Sequence, residues 1–315
     1  MTRILVDALI PIFAGLLLGY FAGRRGLMDN GNVRNLIVLV MNFAIPCALF
    51  SIIIRTPRAV MQQQISTALI LTLTFCALFA GSYLWARRSL GMSASAGSVL
   101  ALTIGFPNVA AMAIPLLTGV FGQSTSVIAA LSIAIGSVTI SPVTLALLEA
   151  DKESLGDGIS FRSIVRNFPR ALARPVVLAP ALALAGVCFN VHLPSYVERT
   201  LTTLGSAASG SALILTGLVL SAQPFRFNGS VLLTAAAKLI VQPALALCIM
   251  LLFRMSHDQI RAITVVSAIP GGFFGLVFGK GFNVTPETAS SGLIATYLAG
   301  GITLAIWILL MEKFF

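Results

Sequence analysis

Residues 65–85 read ISTALILTLTFCALFAGSYLW, and residues 292–311 read GLIATYLAGGITLAIWILLM. Neither stretch contains an Asp, Glu, Lys or Arg, and each matches the roughly 20 apolar residues that carry a helix across a bilayer core. The rest of the chain has the same character. It is 57% hydrophobic and only 10% charged, with a mean hydropathy of +0.98. A soluble domain has about 25% charged residues, so the bilayer must be the main solvent here. A spanning barrel would show short alternating strands instead of long unbroken runs. At about 30 residues per helix and loop, 315 residues hold about ten crossings. The expected fold class is therefore an all-α integral membrane protein. Helices are predicted over 4–22, 34–54, 65–85, 95–120, 124–148, 172–191, 201–222, 229–253, 260–280 and 288–311.

The chain carries 20 Lys and Arg against 10 Asp and Glu, a formal net charge of +10. The basic residues cluster in short loops, where they set topology and meet anionic lipid rather than nucleic acid. Arg24, Arg25, Arg34, Arg87 and Arg88 fall on one side of the membrane. So do the central-loop basics Lys152, Arg162, Arg166, Arg170 and Arg174, followed by Arg226 and Lys280. That side holds twelve basic residues and the other holds seven, Arg3, Arg55 and Arg58 among them. The richer side is expected to be cytoplasmic, which places both termini outside and the central loop inside. The run after Arg3 is too long for a cleavable signal and reads as the first spanning helix.

The longest polar stretch, 149–171, divides the chain. It suggests an N-terminal five-helix repeat over 1–150, a cytoplasmic linker over 151–171 and a C-terminal five-helix repeat over 172–315. An odd number of helices per half inverts the second relative to the first, which is the arithmetic of an inverted-repeat carrier. The fourth helix of each half is interrupted, by Gly105-Phe106-Pro107-Asn108 in one and by Pro270-Gly271-Gly272 in the other. A proline inside a helix removes a backbone donor and clashes with the carbonyl one turn back. Unwound backbone at membrane depth is tolerated only where it is buried in protein or lines a watery cavity. Two breaks at equivalent positions point to a substrate site. The half-helices that begin there would aim free amides and a positive dipole end at it, which suits an anion. The plainer alternative is a pair of proline kinks in ordinary bundle helices.

Few other residues carry chemistry. Lys238 is the only clear charge well inside a helix, where insertion costs about 2.5–3.5 kcal/mol. It either snorkels to the cytoplasmic interface, or attracts a carboxylate, or holds a neighbouring carbonyl. Asn42 and Asn108 are costly to leave unpaired in lipid and are candidates for a substrate or an interhelical bond. No Asp or Glu lies deep in a helix, and Asp7 sits near the outer end of the first. His192 and His257 lie near helix ends, without a Ser/His/Asp set or metal-ligand spacing. No phosphate-binding loop exists. An enzyme, a metal and a cofactor are therefore not expected. Cys47, Cys76, Cys188 and Cys248 lie in apolar runs and read as small packing residues.

The run Pro107-Asn108-Val109-Ala110-Ala111-Met112-Ala113-Ile114-Pro115-Leu116-Leu117, ending at Phe121-Gly122, closely resembles the fourth helix of the auxin efflux carriers. Their pattern has Gly where this chain has Ala113. Ala268-Ile269-Pro270-Gly271-Gly272, Val277-Phe278-Gly279-Lys280, Phe282-Asn283-Val284 and Pro286 look like their ninth helix and following loop, with Gly271 in place of their Gln. Phe43-Ala44-Ile45-Pro46, Gln223-Pro224, and Lys238 five residues before Pro243 match as well. The resemblance spans nearly the whole chain and lacks the large central loop of the plant proteins, as bacterial members do. It implies ten helices in two inverted five-helix repeats, with helices four and nine crossing at their prolines to hold an organic anion. It also implies that Asn108 contacts substrate. Bacterial relatives are associated with small dicarboxylates such as malonate and oxalate.

The expected function is thus a secondary carrier of small organic anions in the bacterial inner membrane, working by alternating access on a dicarboxylate such as malonate. An auxin-like aromatic monocarboxylate carrier and an anion channel are the alternatives. Candidate substrate-binding residues are Asn42, Pro46, Pro107, Asn108, Lys238, Pro270, Gly271 and Gly272. Gly271 and Gly272 are expected to expose backbone amides to the anion, while Phe106, Phe273 and Phe274 could stack on an aromatic ring. The expected partners are the anion and the lipid bilayer, with no nucleic acid; assembly as a homodimer is left open.

Overall fold

The computed structural model describes residues 2–154, 165, 166, 169 and 172–315. Most of the predicted 151–171 linker, including Arg162 and Arg170, lies outside the described residues. The described residues are helical, with no strand beyond one isolated backbone bridge. Among the described residues, seven helices are long and apolar enough to cross a membrane: Val6–Arg24, Arg34–Ile54, Ile65–Arg88, Gln123–Glu153, Ser195–Ser221, Gly229–Leu252 and Glu287–Phe314. Shorter apolar helices cover Ala94–Gly105, Val109–Phe121 and Pro175–Cys188. The predicted helix over 260–280 is divided into His257–Ala268 and Phe274–Gly281. Large apolar side chains stand on the outside, such as Leu18 at 66% and Ile302 at 70% exposure. A water-soluble surface would not present them in such numbers.

The chain forms two compact units that interleave along the sequence. The first comprises Met1–Leu69, Val109–Ile135 and Arg174–Ala222. Its centre is the pair formed by Thr2–Arg24 and Ser195–Ser221, held close by a glycine at every fourth position of the first helix. A Cβ on Gly19 would stand 2.1 Å from the Ile214 carbonyl oxygen, and one on Gly23 would stand 2.1 Å from Ser221 Oγ. From the other side, a Cβ on Gly217 would stand 2.0 Å from the Leu16 carbonyl oxygen. Lipid offers no hydrophobic drive for helix association, so close backbone approach through small residues supplies the contact. Arg34–Ile54 joins the pair where Gly205 meets Ala48 and where Ser51 and Thr202 share a hydroxyl hydrogen bond of 3.1 Å. Val109–Phe121 is fastened by Ser209 Oγ, which donates to the Ala111 carbonyl at 2.7 Å.

The second unit comprises Ile70–Asn108, Gly136–Ala173 and Gln223–Phe315. Ala94–Gly105 packs on Phe274–Gly281, again through glycine. A Cβ on Gly275 would lie 2.4 Å from Thr103 Oγ1 and 2.6 Å from the Val99 carbonyl oxygen. Gly136 leaves room for the Phe106 ring, and Gly300 for the ring of Pro270.

Two π-helical turns, Leu39–Ala44 and Ala237–Val241, each precede a proline, Pro46 and Pro243. The proline nitrogen cannot donate to the carbonyl four residues back, and its ring pushes that carbonyl aside. In the second case the orphaned acceptor is the Leu239 carbonyl, and Trp307 Nε1 donates to it at 2.9 Å. A side chain from the last helix thereby repairs the gap that Pro243 leaves.

Candidate functional site

Within the second unit, the segments around Pro107 and Pro270 meet. The helix Ala94–Gly105 stops because Pro107 cannot continue it and Phe106 turns to an extended conformation. His257–Ala268 stops in the same way before Pro270, with Ile269 at ψ 137°. The freed backbones then pair with each other. The Asn108 N–H donates to the Pro270 carbonyl at 2.9 Å, and the Gly272 N–H donates to the Phe106 carbonyl at 2.8 Å. Pro107 faces Gly271 at the centre of this antiparallel bridge. The arrangement is locally two-fold, with one donor and one acceptor from each segment. Glycine is required on one side: a Cβ on Gly271 would sit 2.7 Å from the Thr103 carbonyl oxygen, and one on Gly272 would sit 2.5 Å from that of Phe106.

This pairing corrects one expectation. The amides of Gly271 and Gly272 are not left exposed for an anion. The Gly272 amide is used in the bridge, and the Gly271 N–H donates to Thr296 Oγ1 at 3.2 Å. Unwound backbone inside protein finds internal partners because leaving a buried polar group unpaired costs about 1–3 kcal/mol.

Side chains from two helices complete the crossing. Asn108 is fully buried, and its Nδ2 donates to the Tyr297 hydroxyl at 2.6 Å. That hydroxyl donates in turn to the Gly271 carbonyl at 3.2 Å. The ends of the two preceding helices are held from Gly229–Leu252. Gln242 Nε2 donates to the Gly105 carbonyl at 2.9 Å. Lys238 Nζ donates to the Ser267 carbonyl at 2.7 Å and to Gln242 Oε1 at 2.5 Å. Lys238 is fully buried, so it does not snorkel. Its ammonium lies at a helix C-terminus, where unpaired carbonyls and the negative dipole end favour a cation.

Six of the candidate residues, Pro107, Asn108, Lys238, Pro270, Gly271 and Gly272, thus gather in the second unit. Asn42 and Pro46 belong to the first, where Asn42 is exposed within its π turn and Pro46 is buried. Phe106, Phe273 and Phe274 form an aromatic cluster, Phe274 lying tilted 5.0 Å from Phe106 and stacked 5.1 Å from Phe273, and all three are fully buried. Sequence reasoning missed Gln242, Thr296 and Tyr297. Gln242 carried a signal, since it lies one helical turn beyond Lys238 on the same face. Tyr297 carried a weaker one, as the only phenol in the apolar run 292–311.

After Asn108, a new helix begins at Val109; after the glycine pair, another begins at Phe274, with Phe273 as N-cap and no side-chain cap bond. Broken helices that meet at their prolines, in a chain with seven candidate spans among its described residues, are the build of a membrane transporter. Residues 4–308 match the family described as Membrane transport protein, and the chain belongs to this family, that of the auxin efflux carriers. An uncharacterized transporter, YfdV of Escherichia coli, is 29% identical over 311 residues, covering 98% of both chains. The uncharacterized transporter MJ1031 of Methanocaldococcus jannaschii is 23% identical over 309 residues, covering 96% of this chain and 97% of that one. Auxin efflux carrier component 7 of Arabidopsis thaliana is 28% identical over 154 residues, covering 48% of this chain and 24% of the plant protein.

Proposed function

We propose that this transporter is a secondary carrier of small organic anions, dicarboxylates of the malonate size, and that it moves them across the bacterial inner membrane by alternating access. It would have ten spanning helices in two inverted repeats, 1–150 and 172–315, with both termini outside. That count takes each broken pair as one helix and adds Pro175–Cys188 to the seven long spans. The observation that carries the reading is the bridge between Pro107 and Gly271, with the Asn108 amide at its edge. Paired broken helices are where carriers of this build hold substrate.

The Asn108 amide offers a donor to a carboxylate. The first turn of Phe274–Gly281 adds amides that no intrahelical carbonyl can satisfy, and its N-cap residue Phe273 brings no side-chain acceptor. Lys238 supports the site from behind through its bonds to Ser267 and Gln242. Asn42 and Pro46 remain candidates for substrate contact, each to be tested by substitution.

A second reading, an aromatic monocarboxylate, draws on Phe106, Phe273 and Phe274. Those rings pack on one another, and Phe106 fills the space over Gly136, which favours the compact anion. Uptake of labelled malonate, oxalate, succinate and indole-acetate into proteoliposomes tests the proposal. Saturable malonate or oxalate uptake with counterflow supports it. Transport of the indole acid alone, or of an organic cation, overturns the substrate class. Flux without saturation or counterflow points to a channel.

A further inference from the structure

The Tyr297 hydroxyl has a defined polarity. It accepts from Asn108 Nδ2 at 2.6 Å and donates to the Gly271 carbonyl at 3.2 Å. The crossing therefore presents one donor and one acceptor side by side, and an O–H group satisfies both. A fully ionised carboxylate would satisfy only the donor, because it is acceptor-only. Its oxygens would be repelled by the Gly271 carbonyl, which would also lose its own donor, at a cost of the kind that makes buried acceptors hard to strip. A monoprotonated dicarboxylate carries both functions: a carboxylate oxygen for the Asn108 amide and a carboxylic O–H for the Gly271 carbonyl.

We infer that Tyr297 is a substrate stand-in. At the crossing its hydroxyl makes the bonds that the substrate's acid group would make, and the ligand that displaces it is a carboxylic acid bearing its own proton, the monoprotonated form of a dicarboxylate. The inference rests on the proposed carrier function and narrows its substrate to one protonation state. It also supplies a route for a coupling proton that uses no carboxylate of the protein. The proton crosses on the substrate, donated to a backbone carbonyl, and no bond is made or broken in the protein.

The charged groups on the surrounding elements leave this role to the substrate. Lys238, on Gly229–Leu252, is engaged by Ser267 and Gln242. Asp258 and Arg261 lie in the first turns of His257–Ala268, at the end away from the break, and Lys280 is exposed at the far end of Phe274–Gly281. Ala94–Gly105 carries no charge; Ile140–Ser154, packed against it, carries Glu149, Asp151, Lys152 and Glu153 in its C-terminal turns, and Tyr297's own helix carries Glu287 in its first turn and Glu312 and Lys313 in its last.

The test is initial uptake in proteoliposomes with no pH gradient, measured against pH for malonate and for oxalate, the stronger acid. The parent should show a KM, in total malonate, that rises about tenfold for each pH unit above the second ionisation of the substrate. The oxalate profile should lie at lower pH. Profiles that coincide for the two acids, or KM values independent of pH, overturn the inference, and this measurement needs no variant. Tyr297→Phe removes the competitor and should lower KM about fivefold, the size of one net hydrogen bond, with the pH dependence retained. An unchanged or higher KM in folded Tyr297→Phe overturns the stand-in role while leaving the carrier reading intact. No carboxylate uptake by the parent overturns both.

Discussion

Lys238 and Gln242, one helical turn apart on the same helix, each hold the carbonyl near the end of a different broken helix. Lys238 takes Ser267 at 2.7 Å, Gln242 takes Gly105 at 2.9 Å, and the two side chains are joined at 2.5 Å. They form a brace behind the crossing, so that one helix face sets the spacing of both breaks. Removing either member leaves buried acceptors without donors, at about 1–3 kcal/mol each. Lys238→Met and Gln242→Leu are each expected to lower the melting temperature in detergent and to abolish most uptake. The double variant should lose less than the sum, because the two act as one network. Lys238→Arg should keep part of the activity, since charge survives while the geometry changes. Wild-type stability and uptake in Lys238→Met would sink the brace.

At the crossing itself, Asn108→Ala is expected to reduce uptake at least tenfold while folded yield falls much less. The backbone bond from Asn108 to Pro270 does not depend on the side chain. Pro270→Ala restores a backbone donor at the break and should likewise cost more transport than protein. Uptake and size-exclusion yield measured on the same preparations decide this; parallel loss of both favours a purely structural role.

The glycines make a prediction with an internal control. Gly19→Ala places a methyl 2.1 Å from the Ile214 carbonyl oxygen. Gly275→Ala places one 2.4 Å from Thr103 Oγ1. Each should destabilise by about 1–3 kcal/mol, the usual cost of overpacking. Gly81→Ala, in a helix with nothing within 4 Å of the added carbon, should be neutral or slightly stabilising. Thermal unfolding in detergent reads all three, and equal effects would mean that close helix approach is not what the glycines serve.

Orientation is tested separately. The excess of Lys and Arg on one side predicts an outside N-terminus and an inside central loop. In a background without Cys47, Cys76, Cys188 and Cys248, a single cysteine in the 155–164 stretch should react with a membrane-impermeant thiol reagent only after permeabilisation. Labelling of that position in intact cells would reverse the assignment.

The sequence by itself determined the solvent and the secondary structure. Runs such as 65–85 and 292–311 contain no charge, and an uncharged run of that length in lipid must satisfy its own backbone, which a helix does within the segment. It also located both breaks, because Pro107 and Pro270 act on the residues one turn back and need no distant partner. The tertiary structure alone decided what the broken ends do. The partners of Asn108 and Gln242 lie 189 and 137 residues away, beyond the reach of any helical period. Whether the Gly271 amide faces a cavity or Thr296, and whether Lys238 reaches for the interface or for Ser267, depends on which helices pack together. The same holds for the two units: each draws on both halves of the chain, because helices sort by which glycine-lined faces fit together, and that fit is a property of the assembled structure.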